Sequence, residues 1–163
     1  MEVQLPRLDI DDPCASCAPC AGACHADRVL EISTDPARLD RDLVHRFLSE
    51  DSYWARGRTR EQCERIIDRS LCFGAYEDGR RQVAHARVLT DGVTFGYIAD
   101  LFVVPAARGR GIGKALMAAI LEHPEVRDVT RLTLLTLDAH RLYERFGFGP
   151  LDDLPKWMTR RRA

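Results

Sequence analysis

The spacing of hydrophobic residues is helical in the first third of the chain and strand-like in its middle. A helix is predicted from Asp35-Pro36, a typical helix start, to about Glu50, because apolar residues recur there every three or four positions. A second helix is predicted over Thr59–Ser70, and residues 51–57 form the loop between the two. The apolar residues of this second helix that face inward are Cys63, Ile66 and Ile67.

Runs of aromatic and β-branched residues predict five strands, and Asp-Gly pairs mark two hairpin turns among them. These strands are Arg28–Ser33, Leu71–Glu77, Gln82–Thr90, Phe95–Val104 and Val129–Leu137. A third helix fits Ile112 to about His123, and a fourth fits Ala139–Phe146. Asp138 is expected to cap the fourth helix and Gly147 to end it, and Phe148 opens a last strand.

The resulting order, β-α-α-β-β-β-α-β-α-β, predicts the α/β (α+β) fold class, with a mixed, mostly antiparallel sheet flanked by helices. At 163 residues the chain is most simply one domain. Its net charge of -1 gives no field that would attract nucleic acid, and no apolar run approaches the ~20 residues that span a bilayer. The acidic start of the chain lacks the pattern of a signal peptide, so a cytoplasmic protein is expected.

Residues 1–27 differ from the rest in composition, being rich in Pro, Ala, Asp and Cys. We expect a mobile tail there and a folded domain over residues 28–163. Four cysteines and one histidine leave an iron–sulfur cluster or a zinc site open as an alternative. Those residues are Cys14, Cys17, Cys20, Cys24 and His25. A native start of the chain near Val29 is a separate alternative. The tail has almost no apolar residues to support a metal site, so no metal is assigned.

Three glycines, Gly109, Gly111 and Gly113, lie between a predicted strand and a predicted helix. Without side chains, the backbone N–H groups of such a turn can close on an anion at the positive end of the helix dipole. The spacing fits neither the G-x-G-x-x-G fingerprint nor a Walker loop, so an anion site and a turn without a ligand both remain open.

Two motifs resemble the GNAT superfamily of N-acetyltransferases. Residues 108–113, RGRGIG, are similar to its R/Q-x-x-G-x-G/A pattern, and Leu142-Tyr143 with Gly147-Phe148 is similar to its LYxxxGF signature. The resemblance covers roughly residues 28–150. It implies a GNAT-like fold and an acetyl-CoA-dependent transfer of acetyl from the thioester to a primary amine of a small molecule, by direct attack. The pantetheine arm would enter a wedge between the strands Phe95–Val104 and Val129–Leu137.

The resemblance also implies roles for individual residues. Tyr143 would be the general acid, and the main chain at Phe102, Val103 and Val104 would contact the pantetheine and the acetyl carbonyl. The pyrophosphate would bind at Arg108, Gly109, Arg110, Gly111, Ile112, Gly113 and Lys114. Asp100 is the candidate base, with Asp51, His85, a base that acts through water, or no single base as alternatives.

The acceptor side is predicted less sharply. Tyr53 and Trp54 either form a wall of the acceptor pocket or pack the first two helices together. A non-catalytic module that binds acyl-CoA, and an acetyltransferase with a metal-responsive cysteine tail, are the alternative functions. Acceptor identity and the choice between monomer and homodimer are left open.

Overall fold

A five-stranded sheet forms the centre of the molecule, for which the computed structural model describes residues 29–160. The strands are β1 (Leu30–Ser33), β2 (Leu71–Glu77), β3 (Arg81–Thr90), β4 (Phe95–Val103) and β5 (Arg131–Leu134). They lie in chain order; β1 to β4 pair antiparallel, and β5 pairs parallel with β4. This confirms the predicted mixed, mostly antiparallel sheet.

Helices cover both faces of the sheet. They are α1 (Arg41–Arg46), α2 (Arg60–Ile67), α3 (Ile112–Glu122) and α4 (His140–Glu144). The main core lies under α3 and α4, where Leu116, Met117 and Ile120 pack on the strands. A second core lies under α1 and α2, where the ring of Phe47 stacks on that of Phe102 in β4 at 3.9 Å between centroids. Burial of apolar surface in these two layers stabilises the fold.

The first predicted helix is divided into three parts. Asp35 caps a 3₁₀ turn at Pro36–Arg38, and Asp40 then caps α1 through the N–H of Leu43. After α1 the chain forms a π-helical turn at Phe47–Asp51. The second Asp cap explains the division, because a side-chain acceptor at Asp40 starts a new helix after the turn.

Two predictions near the C-terminus need correction. Asp138 does not cap α4, since the N–H of Ala139 donates instead to Thr136 Oγ1 at 3.0 Å. The last strand predicted from Phe148 is not formed among residues 29–160; Gly149-Pro150 and a 3₁₀ turn at Leu154–Lys156 follow instead. Proline lacks the N–H that a sheet ladder requires.

Residues 29–160 contain neither a membrane-spanning helix nor a cluster of metal-ligand side chains. None of the helices there combines the length and the apolar character that crossing a bilayer requires. No group of three or more His, Cys, Asp or Glu side chains is arranged in this part of the chain as metal ligands would be. The cysteines considered above as an alternative metal site belong to residues 1–27, outside the described range.

His85, in the middle of β3, is fully buried between neighbouring strands. Within residues 29–160 neither ring nitrogen has a hydrogen-bond partner, and Phe102 lies 5.7 Å from the ring. Burial lowers the pKa of His85 to about 4, with Asp100 opposing this effect and Arg87 adding to it. The imidazole is therefore neutral in the folded protein at pH values where an unfolded chain would protonate it.

We predict that His85 makes the fold acid-sensitive. Because its pKa is lower in the folded state, the stability is fully present above about pH 6.5 and is lost progressively as the pH falls to about 4. The loss amounts to about 3 kcal/mol at most. Urea titrations at several pH values should show that His85→Leu removes much of this slope. The control Val88→Ala leaves a cavity beside the same strand and should lower the free energy of unfolding equally at every pH. If the slope of stability against pH is unchanged in His85→Leu, the prediction is contradicted.

Candidate active site

The glycine turn leads directly into α3. Gly109 and Gly111 have φ angles of 78° and 75°, and the Cβ positions of both open onto free space. Left-handed backbone of this kind favours glycine. The first bonds of the helix run from the N–H groups of Lys114 and Ala115 to Gly111 O, at 2.9 and 3.0 Å. The N–H groups of Ile112 and Gly113 precede these bonds and are available to an anion.

The two arginines of the turn have protein partners. Arg108 Nε donates to the carbonyl of Val103 at 3.0 Å and so fixes the turn to the end of β4. Arg110 forms an ion pair with buried Glu77 at 2.5 Å, and Glu77 also pairs with Arg81. Burial raises the pKa of Glu77, but its hydrogen bonds with Arg81 and Arg110 outweigh this and hold the pKa below the ordinary value. Glu77 therefore anchors Arg110 beside the turn.

The two parallel strands separate at their C-terminal ends. Pairing between β4 and β5 ends at Ile98 and Leu134, whereas β4 continues to Val103. The strand predicted over residues 129–137 is therefore shorter than expected, and Leu135 and Leu137 are exposed. The segment of β4 from Ala99 to Val103 thus has no strand beside it on the β5 side. Phe102 and Val103 lie in this segment, and Val104 follows it directly.

A bulge at Asp100 changes the register of β4. His85 pairs with Phe102 but Arg87 pairs with Ala99, so β4 contains one extra residue between these pairs. Asp100 has a φ of 51°, in the left-handed region that aspartate enters more readily than most residues. Such local strain is typical of functional sites.

Asp100 is the centre of a buried ion cluster. Its Oδ2 accepts from Arg87 Nε at 2.6 Å and from Arg58 Nη1 at 2.7 Å, and its Oδ1 accepts from Trp54 Nε1 at 3.1 Å. Burial raises the pKa of Asp100, but the two arginines together outweigh this and hold the pKa below its ordinary value. The carboxylate therefore stays ionised and links the loop after α1 to β3 and β4.

A pocket of about 270 Å³ lies beside this cluster. Tyr53 and Trp54 form one side of it and pack edge to face, with 4.9 Å between ring centroids. The hydroxyl of Tyr53 accepts the N–H of Leu137 at 3.1 Å and donates to Asp138 at 3.5 Å. The lining residues are Tyr53, Trp54, Arg58, Arg87, Tyr97, Ile98, Ala99, Asp100, Leu101, Leu135, Thr136, Asp138, Ala139 and Tyr143.

Tyr143, on α4, closes the pocket from the opposite face of the sheet. Its side chain is buried and packs against Phe148. Burial, together with smaller contributions from the nearby Tyr53 and Asp138, raises the pKa of Tyr143 to about 12. The phenol therefore keeps its proton at neutral pH and is available as a donor.

The structure thus brings four predicted residues to one pocket: Tyr53, Trp54, Asp100 and Tyr143. The alternative bases are elsewhere, since Asp51 is exposed at the end of the π-helical turn and His85 is enclosed in the sheet; neither lines the pocket.

The two arginines that line the pocket, Arg58 and Arg87, were not predicted as site residues from the sequence. Arg87 did carry a signal, because it is the one charged residue in the run VAHARVL of a predicted strand. A buried charge needs a partner, and the Asp91-Gly92 hairpin brings Asp100 opposite to it. Arg58 is in a loop and carried no comparable signal.

Comparison with known proteins identifies the family. The model of the acetyltransferase (GNAT) family matches residues 38–148. The chain is 31% identical over 134 residues to the protein named "Putative acetyltransferase FG08082" of Gibberella zeae, a match that covers 69% of this chain and 74% of the relative.

Solved structures share the fold. A crystal structure from Xanthomonas campestris pv. campestris, of a protein belonging to the GNAT family, has a TM-score of 0.78 and 47% identity. The match covers 82% of this chain and 93% of the Xanthomonas chain. A structure with acetyl-CoA from Clostridium acetobutylicum has a TM-score of 0.62 at 16% identity, and covers 81% of this chain and 96% of its own. The resemblance found in the sequence is therefore confirmed.

We predict opposite effects for alanine at two glycines of the turn. Gly111→Ala should lower the free energy of unfolding by about 1 kcal/mol, because an L residue is strained at its φ of 75°. At Gly113 a Cβ would make ordinary contacts, 3.7 Å from Leu142 and 3.8 Å from Val103. Gly113→Ala should therefore stabilise the protein by up to about 1 kcal/mol through helix propensity. Urea denaturation of both variants tests this, and equal effects would contradict it.

Proposed function

This chain belongs to the acetyltransferase (GNAT) family, and on that premise we propose that it transfers acetyl from acetyl-CoA to a primary amine of a small molecule. The observation that carries the proposal is the shared pocket of Tyr53, Trp54, Asp100 and Tyr143 beside the open end of β4. The pocket is narrow and lined by aromatic and charged groups, which suits a small polar acceptor.

The proposed acetyl-CoA site extends from the glycine turn to the opening between β4 and β5. The pyrophosphate would bind at the N–H groups of residues 109–113 with Arg108, Arg110 and Lys114 nearby, where the helix dipole and the side-chain charges are both positive. The side-chain-free turn at Gly109 and Gly111 leaves room for such a group. The part of β4 that has no strand on its β5 side, around Phe102, Val103 and Val104, would receive the pantetheine arm and the acetyl carbonyl through main-chain groups.

In the proposed reaction the neutral amine nitrogen attacks the thioester carbonyl carbon and forms the C–N bond. The C–S bond breaks, the nitrogen releases its extra proton to water, and the sulfur leaves as a thiolate that acquires a proton. Tyr143 would supply a hydrogen bond, and then its proton, to this sulfur, and would regain a proton from water. Because its pKa is about 12, the phenol remains protonated throughout the neutral range. It therefore acts mainly by stabilising the developing negative charge as the bond breaks.

For Asp100 we propose a positioning role in place of the base predicted from the sequence. Both of its oxygens accept hydrogen bonds from protein groups, and its pKa is below the ordinary value. A carboxylate of low pKa accepts a proton poorly. We propose that Asp100 holds Arg58, Arg87 and Trp54 in place. We also propose that the ammonium loses its proton to water without a single protein base, which is one of the alternatives left open by the sequence.

Thiol release from acetyl-CoA with a panel of amines tests the function. Wild-type protein should release thiol only when an accepted amine is present. Tyr143→Phe should lower kcat by about 10- to 1000-fold, because the departing sulfur loses its donor. The control Tyr76→Phe also removes a buried phenol oxygen, but outside the pocket, and should leave kcat unchanged. Acetyl-CoA binding without turnover on any amine would instead support the non-catalytic module.

The pH profile of Asp100→Asn separates a base from a positioning group. If Asp100 positions the arginines and Trp54, the variant should raise KM for the amine on the order of tenfold, because buried charges lose their partner. The shape of the kcat/KM profile against pH should be unchanged. Loss of a step in its acid range, with KM preserved, would identify Asp100 as the base.

A further inference from the structure

The part of the pocket lined by Arg58, Arg87 and Asp100 contains more positive than negative charge. Arg58 and Arg87 share one carboxylate oxygen of Asp100, and among residues 29–160 no other acidic residue forms an ion pair with either. The side chains of Arg58, Arg87 and Asp100 are only 21%, 10% and 3% exposed. One positive charge is therefore left unbalanced where little solvent reaches it, an arrangement that an anionic ligand would stabilise.

Both arginines also retain unused donors. Arg58 donates from Nη1 to Asp100. Arg87 donates from Nε to Asp100 and from Nη1 to Ser70 Oγ at 3.3 Å. The described part of the chain offers no acceptor to Nε and Nη2 of Arg58 or to Nη2 of Arg87. Planar guanidinium groups with free N–H groups are well suited to bind a carboxylate or phosphate.

The other end of the pocket is negative. Asp138 lies 3.5 Å from the Tyr53 hydroxyl, and Tyr53 packs on Trp54, which in turn contacts Asp100. Two aromatic side chains thus separate Asp138 from the arginines. The pocket has a cationic end at Arg58 and Arg87 and an anionic end next to Tyr143.

We propose that the acceptor is a small zwitterion: an amine with a carboxylate or phosphate group that binds at Arg58 and Arg87 while the amine faces Asp138 and Tyr143. The proposal rests on the proposed function and specifies its substrate class. The shared chemistry of the recognised group is its anionic oxygen atoms. A cavity of about 270 Å³ limits the acceptor to roughly the size of an amino acid. Polyamines, which have no anionic group, would leave the arginines unneutralised.

A binding experiment tests this without requiring turnover. In the Trp157→Phe chain, Trp54 is the sole tryptophan, so its emission reports on the pocket. We would titrate this protein, with coenzyme A present, with N-acetylglycine and N-acetylglycinamide, which differ in one charge. A second pair, N-acetyl-O-phosphoethanolamine and N-acetylethanolamine, tests phosphate. The anionic member of at least one pair should bind at least about tenfold more tightly, and the pair that discriminates identifies the anion. Equal affinities within both pairs overturn the proposal.

Matched arginine variants locate the effect. In the same Trp157→Phe protein, Arg58→Gln should abolish the preference for the anionic probe, and Arg58→Lys should restore part of it. Arg56→Gln removes the same charge from an exposed position of the same loop and should leave the preference unchanged. An equal loss in Arg56→Gln would indicate a general charge effect and overturn the assignment to Arg58.

Thiol release then separates the two proposals. Turnover of neutral amines together with equal probe affinities would leave the acetyltransferase proposal standing and reject the zwitterion. Selective binding of the anionic probe without any thiol release would retain the anion site and reject the catalytic function.

Discussion

The arrangement of the pocket depends on one buried carboxylate between two arginines. Asp100 lies on a bulge of β4, and its contacts with Arg87, Arg58 and Trp54 connect β3, β4 and the loop after α1. In a region of low dielectric such an ion cluster is costly to break, because each charge left behind would be buried without a partner. The cluster therefore fixes the position of a loop that otherwise has few links to the sheet.

The two halves of the proposed reaction use the sheet in different ways. On one side, a glycine turn and a helix N-terminus provide main-chain N–H groups, which suit a phosphate whatever side chains surround them. On the other, side chains define a small pocket with charges of opposite sign at its ends. The separation of β4 from β5 after Ile98 leaves an opening between these two regions.

Much of this could be predicted from the sequence, for physical reasons. Strand periodicity, Asp-Gly turns and the glycine turn are local signals, and they located the first five strands along the chain and the start of α3. The bulge at Asp100 could not be predicted, because an extra residue in one strand appears only when the partner strand is known. Arg58 was missed for a similar reason: its partner is 42 positions away. The second cap at Asp40 was a local signal that the helical period obscured.

The loop of residues 52–58 supplies Tyr53, Trp54 and Arg58 to the pocket and no residue to the glycine turn. Substitutions in this loop thus leave the site proposed for acetyl-CoA unchanged, because that site is formed by a later part of the chain. Gene duplicates could diverge in acceptor choice through a handful of changes in this loop while the acetyl-donor half is inherited intact. Asp100 limits which loop sequences are tolerated, because any new loop must still bring a hydrogen-bond donor to its carboxylate.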